Sequence, residues 1–259
     1  MIIAIPAFSM NSVFIYVWMM AFVRAGGLLA LCPVFSGQNV PMQIRVAIAG
    51  MLAWFATGTF HGTMTVPVDL VSLIITTAHE LGIGLLMGFG MRIVFYAIDF
   101  AGQVISTEIG LTMSSDIDPI SRTSSSAIGI ALSYFVALLF LISGCHHAMF
   151  AAFIRSFDLA PIGQMSFNSK VAEFFVASTG KIFLIAVQMA APMIAANFVV
   201  NFSFSILARA APGIHSYSES FGVRIIAGLT LFGMTIGLTA QIVLNYLRGS
   251  PELVLRLLP

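Results

Sequence analysis

The residues of this chain that could do chemistry are few and poorly spaced for it. His146 and His147 are adjacent, which puts them on different faces of a helix, and no carboxylate lies three or four residues away to complete a site. His79 and Glu80 are likewise neighbours rather than one turn apart, so the HExxH zinc-protease pattern is missing. No serine sits in a GxSxG elbow. Cys32 and Cys145 lie in apolar surroundings without metal-ligand spacing, as small buried hydrophobes do. Asp116 and Asp118 are close together, but they run into Pro119 within a stretch rich in Ser and Thr. The reading is a chain without catalytic activity, cofactor or metal. One kind of chemistry stays open. Acids within apolar segments, here Glu80 and Asp99, can couple protons or hold substrate, and broken helices can line a midplane cavity. A secondary transporter is therefore the alternative.

The elements that must position these residues are apolar helices. The chain has 259 residues, 59% hydrophobic and 8% charged, where soluble domains carry about 25% charged residues. This composition predicts an all-α, polytopic membrane protein. Long continuous apolar runs with no period-2 alternation exclude a β-barrel. A net charge of +1 gives no electrostatic case for nucleic acid or for an acidic partner. No basic residue precedes Arg24 and no small-x-small cleavage site precedes a polar mature start, so the first apolar run is expected to stay in the mature protein.

Roughly six long apolar segments follow, at about residues 8–35, 43–60, 68–101, 127–154, 171–207 and 223–247, read as one domain over residues 1–259. A helix needs about 20 residues to cross the hydrocarbon core. The third and fifth segments are well beyond that. They are expected to tilt, to project from the bilayer, or to break at Gly82, Gly84, Gly88 and Gly90 or at Pro192. The string RSFDLAPIG, residues 155–163, reads as a loop. Between the third and fourth segments, residues 99–122 form an island of small, polar and acidic residues, too long for a tight turn.

Charge placement argues against simple lipid-facing spans. Arg24, Glu80, Arg92, Asp99, Lys181 and Arg224 all sit in or at the edge of apolar runs, where each costs about 2.5–3.5 kcal/mol at the centre of a span. They are expected to pair within or between subunits. Glu80 and Arg92 lie about three turns apart and cannot touch, so each needs a partner from another helix or another chain. The loop Lys and Arg residues divide evenly between the two sides, which sets no orientation and argues against six simple spans. Gly84, Gly88, Ala101, Gly102 and Gly228, with the GxxxG pair Gly233 and Gly237, have spacings that let helices approach closely, within the chain or toward other subunits.

The order of the motifs RAGGLLALCPVFSGQNVP, ELGIGLLMGF, DFAGQVISTEIGLTMSSDIDP, LLFLISGCHHAMFAAFIRSFDLAPIG, QMAAPMIAANF and LARAAPG resembles the FliR family of flagellar export proteins over nearly the whole chain. Its more specific parts are the EIGL…DP block and the segment from His147 into Ser156, Phe157, Pro161 and Gly163. The related injectisome family, SctT, typically has NQRG where this chain reads STEIGL, which favours the flagellar branch. After APG the family usually continues through an apolar stretch, whereas this chain reads IHSYSESFGVRI.

The resemblance implies a core subunit of a type III protein export gate, built from helical hairpins largely displaced from the bilayer plane. FliP-like and FliQ-like membrane subunits would be its partners around a channel for transiting unfolded flagellar proteins, with an FlhB-like export switch protein also associated. The implied place is the bacterial inner membrane at the flagellar basal body. The loop over residues 106–122 would help close the channel. The residues matching the family's plug are Gly110, Leu111, Thr112, Met113, Ser114, Ser115, Asp116 and Asp118, with Leu111 and Met113 making the seal.

Overall fold

The computed structural model of the chain describes residues 12–37, 40–59, 66–67, 69–111, 126–163, 169–210 and 216–255. Among these, all regular structure is helical, in eight helices: α1 (Ser12–Leu31), α2 (Pro33–Ser36), α3 (Met42–Thr59), α4 (Leu70–Ile109), α5 (Ala127–Ile142), α6 (Cys145–Leu159), α7 (Ser169–Ala210) and α8 (Ser216–Leu255). The all-α class holds. The helix count exceeds the six predicted segments for two local reasons. Pro33 opens the short α2 directly after Cys32, where its missing N–H is not needed. The fourth segment divides at Ser143–Gly144, where Gly144 takes φ +72°, a left-handed conformation that ends helices.

Of the alternatives expected for the long segments, breaking is not what is found, and two other expectations are corrected. α4 runs unbroken through Gly82, Gly84, Gly88 and Gly90, and α7 runs unbroken through Pro192. At 40 and 42 residues these helices are each about 60 Å long, twice the hydrocarbon core of about 30 Å. The polar island is also shorter than it looked, because α4 continues to Ile109. Ala101, Gly102, Ile105, Ser106 and Ile109 form its buried stripe, while Asp99, Gln103 and Thr107 lie on the exposed face. Finally, Arg155–Leu159 belongs to α6 rather than to a loop. Met149, Ala152, Phe153 and Ser156 are its buried stripe, and Arg155 and Asp158 face outward.

The chain divides into two compact units. The first holds residues 1–92, 147–170 and 250–259. Here α1 and α3 form an antiparallel hairpin, with the Phe14 and Trp54 rings edge-on at 5.7 Å. α1 and the first half of α4 run parallel and very close. A Cβ on Gly27 would lie 2.9 Å from the Leu81 carbonyl oxygen, and one on Gly88 would lie 2.7 Å from that of Leu28. A Cβ on Gly84 would overlap the Arg24 carbonyl oxygen. The small-residue spacing is thus used within the chain at these positions.

The second unit holds residues 93–146 and 171–249. The end of α4 and α5 are antiparallel, with Gly102 packed on Gly129 and Phe95 edge-on to Phe140 at 6.4 Å. Ser126 caps α5 by accepting from the Gly129 N–H at 3.0 Å. α7 and α8 form another antiparallel pair: Arg224 bonds Asn201 near one end, and Tyr246 donates to Gln188 further along. A Cβ on Gly233 or Gly237 would meet nothing within 4 Å among the described residues.

Candidate functional site

Two polar constellations stand out in this apolar chain, one in each unit. In the first, Arg24 and Glu80 are both fully buried and form an ion pair, Nε to Oε2 at 2.6 Å. The Arg24 guanidinium also donates from Nη1 to Ser156 Oγ and from Nη2 to the Ala160 carbonyl, each at 2.9 Å. It lies 4.0 Å above the Phe157 ring. Ser156 in turn donates to the Phe153 carbonyl, and the second Glu80 oxygen accepts from the Gly163 N–H at 3.1 Å. Gly163 reaches that position with φ +79°, which favours glycine.

Ser156, Phe157 and Gly163 are thus the cradle for a buried ion pair. The sequence pattern around them has a physical reason: a buried charge is tolerated when its pairing and hydrogen bonds are complete. Both Glu80 oxygens are engaged and the side chain is fully buried, which suits a fixed joint rather than proton coupling. The chemistry of the arrangement is structural.

The second constellation lies at the C-terminal end of α4. Gly110, with φ +89°, closes that helix by donating to the Ser106 and Thr107 carbonyls. A Cβ there would lie 2.9 Å from the Phe221 ring, and Gly228 accommodates Ile109. One residue earlier, the Glu108 carboxylate accepts a hydrogen bond from Asn197 Nδ2. Asn197 Oδ1 accepts from Asn201 Nδ2 at 3.2 Å, and Asn201 Oδ1 accepts from Arg224 Nη2 at 2.7 Å. Glu108, Asn197, Arg224 and Gly228 border a cavity of about 10 Å³, which is room for about one water.

The remaining charges predicted to pair have varied partners. Arg92 donates to Ser36 Oγ at 3.4 Å. Asp99 is exposed and accepts from Ser133 Oγ at 2.5 Å. It lies beside an open cavity of about 320 Å³ that Gln103, Ser126 and Tyr134 also line. Lys181 is half-buried on α7. Of the plug residues, Gly110 and Leu111 are described, and Thr112, Met113, Ser114, Ser115, Asp116 and Asp118 lie outside the described residues. Both cysteines are buried and free. Among the described residues, no group of three or more His, Cys, Asp or Glu side chains is placed to hold a metal ion.

Sequence reasoning missed Glu108, Asn197 and Asn201. Glu108 sat inside a quoted motif without being counted among the charges in apolar runs. The signal for the two asparagines was their i, i+4 spacing, which aligns two amides on one helix face.

Comparison with known proteins agrees with the architecture. The family described as bacterial export proteins, family 1, matches residues 15–249. The flagellar biosynthetic protein FliR of Caulobacter vibrioides is 26% identical over 229 residues, covering 88% of this chain and 91% of the relative. FliR of Bacillus subtilis is 26% identical over 245 residues, covering 93% and 94%. The Yop proteins translocation protein T of Yersinia pestis is 26% identical over 205 residues, covering 78% of each chain. With nearly all of its helices inside the matched region, the chain belongs to bacterial export proteins, family 1.

Proposed function

We propose that the chain is a non-enzymatic core subunit of the flagellar type III export gate, forming with FliP- and FliQ-like subunits a channel for unfolded flagellar proteins. On this reading the whole chain acts as one export-gate domain in the bacterial inner membrane, at the flagellar basal body, with an FlhB-like protein as a further partner. The segment over residues 110–118 closes the channel until a chain passes.

The observation that carries the reading is the uncovered apolar surface of α7. Large apolar side chains are exposed from Phe175 to Leu207, about 48 Å along the axis. A hydrocarbon core of about 30 Å would cover that length only at a tilt of about 50°, beyond the usual range of roughly 0–40°. Lipid alone leaves part of the face in water, which supports a covering of other protein. α8 adds to the same argument, since 6% of its most apolar stretch is buried within the chain, against 67% for α4. Its GxxxG pair, Gly233 and Gly237, touches nothing within 4 Å among the described residues and offers a close-approach face.

Six FliR-named relatives favour the flagellar system, and the translocation protein T relatives keep the injectisome as the second reading. Of a transporter using Glu80 and Asp99, the Glu80 half is disfavoured by its buried pair with Arg24. The test is gentle purification from the native membrane followed by mass determination. The gate reading predicts one large assembly containing several smaller helical membrane proteins. A monomer or a symmetric dimer of this chain alone would refute it.

A further inference from the structure

We infer that Glu108, Asn197, Asn201 and Arg224 form a latch that ties the C-terminal end of α4 to the α7–α8 hairpin. The inference rests on the channel-plug reading for its purpose, because Glu108 sits two residues before Gly110, where the proposed plug begins.

The latch is defined by its direction. At one end the Glu108 carboxylate accepts from Asn197; at the other, the Arg224 guanidinium donates to Asn201. Between them, each amide turns its N–H toward the carboxylate and its carbonyl toward the guanidinium. Both charges therefore polarise both amides in the same sense, and each bond strengthens the next. The two amides stand one turn apart on α7, so the line crosses from α4 along α7 to α8. Apolar contacts flank it, with Ile109 in the space left by Gly228 and Phe221 against Gly110.

A direct Arg–carboxylate fork would hold these helices more tightly. Here the opposite charges are joined through two uncharged side chains, and rotation of one asparagine breaks the line. Asn201 is exposed and Arg224 half-buried within the chain, so the groups freed on opening are not enclosed in its core. Arg224 Nε is buried and has no hydrogen-bond partner among the described residues, so the guanidinium is held through one of its nitrogens. The arrangement fixes the end of α4 and is able to release it.

Charge reversal tests the latch in the purified export complex, read by amide hydrogen exchange at residues 106–110. Glu108→Arg alone and Arg224→Glu alone put like charges at both ends, and each is expected to speed exchange there by about tenfold or more. The double variant restores opposite charges with the polarity reversed. Both asparagines then turn over, and exchange returns to within about threefold of wild type. A role in packing alone gives no such rescue. Asn201→Ala, at an exposed position, cuts the line without a charge change and is expected to act like the single reversals. It carries the test if a reversal variant does not assemble. Exchange at residues 84–91 should stay at wild-type rates and certifies the fold. Unaccelerated exchange in Asn201→Ala, or a double variant as fast as the single ones, overturns the latch. Deleting residues 110–115 and measuring ion leak bears on the plug alone. An unchanged leak would remove the purpose assigned to the latch while the exchange results still stand, and a raised leak with unaccelerated exchange would remove the latch and leave the plug.

Discussion

The Arg24–Glu80 cluster and the Glu108–Arg224 line meet the same problem, opposite charges in an apolar chain, in opposite ways. Arg24 and Glu80 touch directly, are fully buried, and have their remaining groups bonded by Ser156, Ala160 and Gly163. Glu108 and Arg224 are half-buried and connected through Asn197 and Asn201. Next to the first pair the backbones close to glycine contact at Gly27, Gly84 and Gly88. Next to the second, a polar side chain, Ser106 Oγ, is buried without a hydrogen bond among the described residues. The difference teaches where the chain is fixed and where it is able to move. A buried charge that loses its partner is very costly, which suits a permanent joint. A half-buried relay in which the charges do not touch loses less on opening, which suits a joint that must yield.

The largest expected effect breaks the permanent joint. Glu80→Ala leaves Arg24 buried and unpaired, and should destabilise the chain by about 3–5 kcal/mol, read as loss of folded subunit in detergent unfolding. The double variant Arg24→Met with Glu80→Leu should recover most of that loss, because the desolvation cost disappears with both charges. Recovery would sharpen the contrast; no recovery would mean that the cradle needs the charges themselves. Next in size is Gly84→Ala, whose new methyl overlaps the Arg24 carbonyl and should cost about 1–3 kcal/mol, measured the same way.

Effects in the second unit should be smaller. Asn197→Ala removes the bond to Glu108 at a half-buried site, and a loss of about 1 kcal/mol is expected. A loss equal to that of Glu80→Ala would erase the distinction between the two joints. Lys181→Ala sets the lower bound. Half-buried on α7, it should change stability by less than about 0.5 kcal/mol in the isolated chain. A clearly larger loss of the assembled complex would place Lys181 at a subunit contact.

Much of this was legible in the sequence, and particular residues show where legibility stopped. Arg24 and Glu80 were marked by their charge in apolar surroundings, and the Ser156–Gly163 pattern was marked as specific. That these groups meet was not readable, because 56 positions separate the pair along the chain and helical periodicity carries no register between distant helices. Residues 99–109 read as a loop because polar and small residues crowd there. Their stripe at 101, 105 and 109 has helical spacing, and the helix packs it inward against Gly129 and Gly228. Pro192 read as a break, yet a proline removes one backbone bond from a helix whose remaining bonds persist. Local signals stated what each residue disfavours, and packing decided which of those costs were accepted.

The measurement that tests the central claim most directly is ion conductance through the assembled export complex with residues 110–115 deleted. If this segment closes the channel of a type III export gate, the deletion complex assembles with wild-type composition and its leak rises several-fold. A correctly assembled deletion complex whose conductance equals that of wild type would contradict the account.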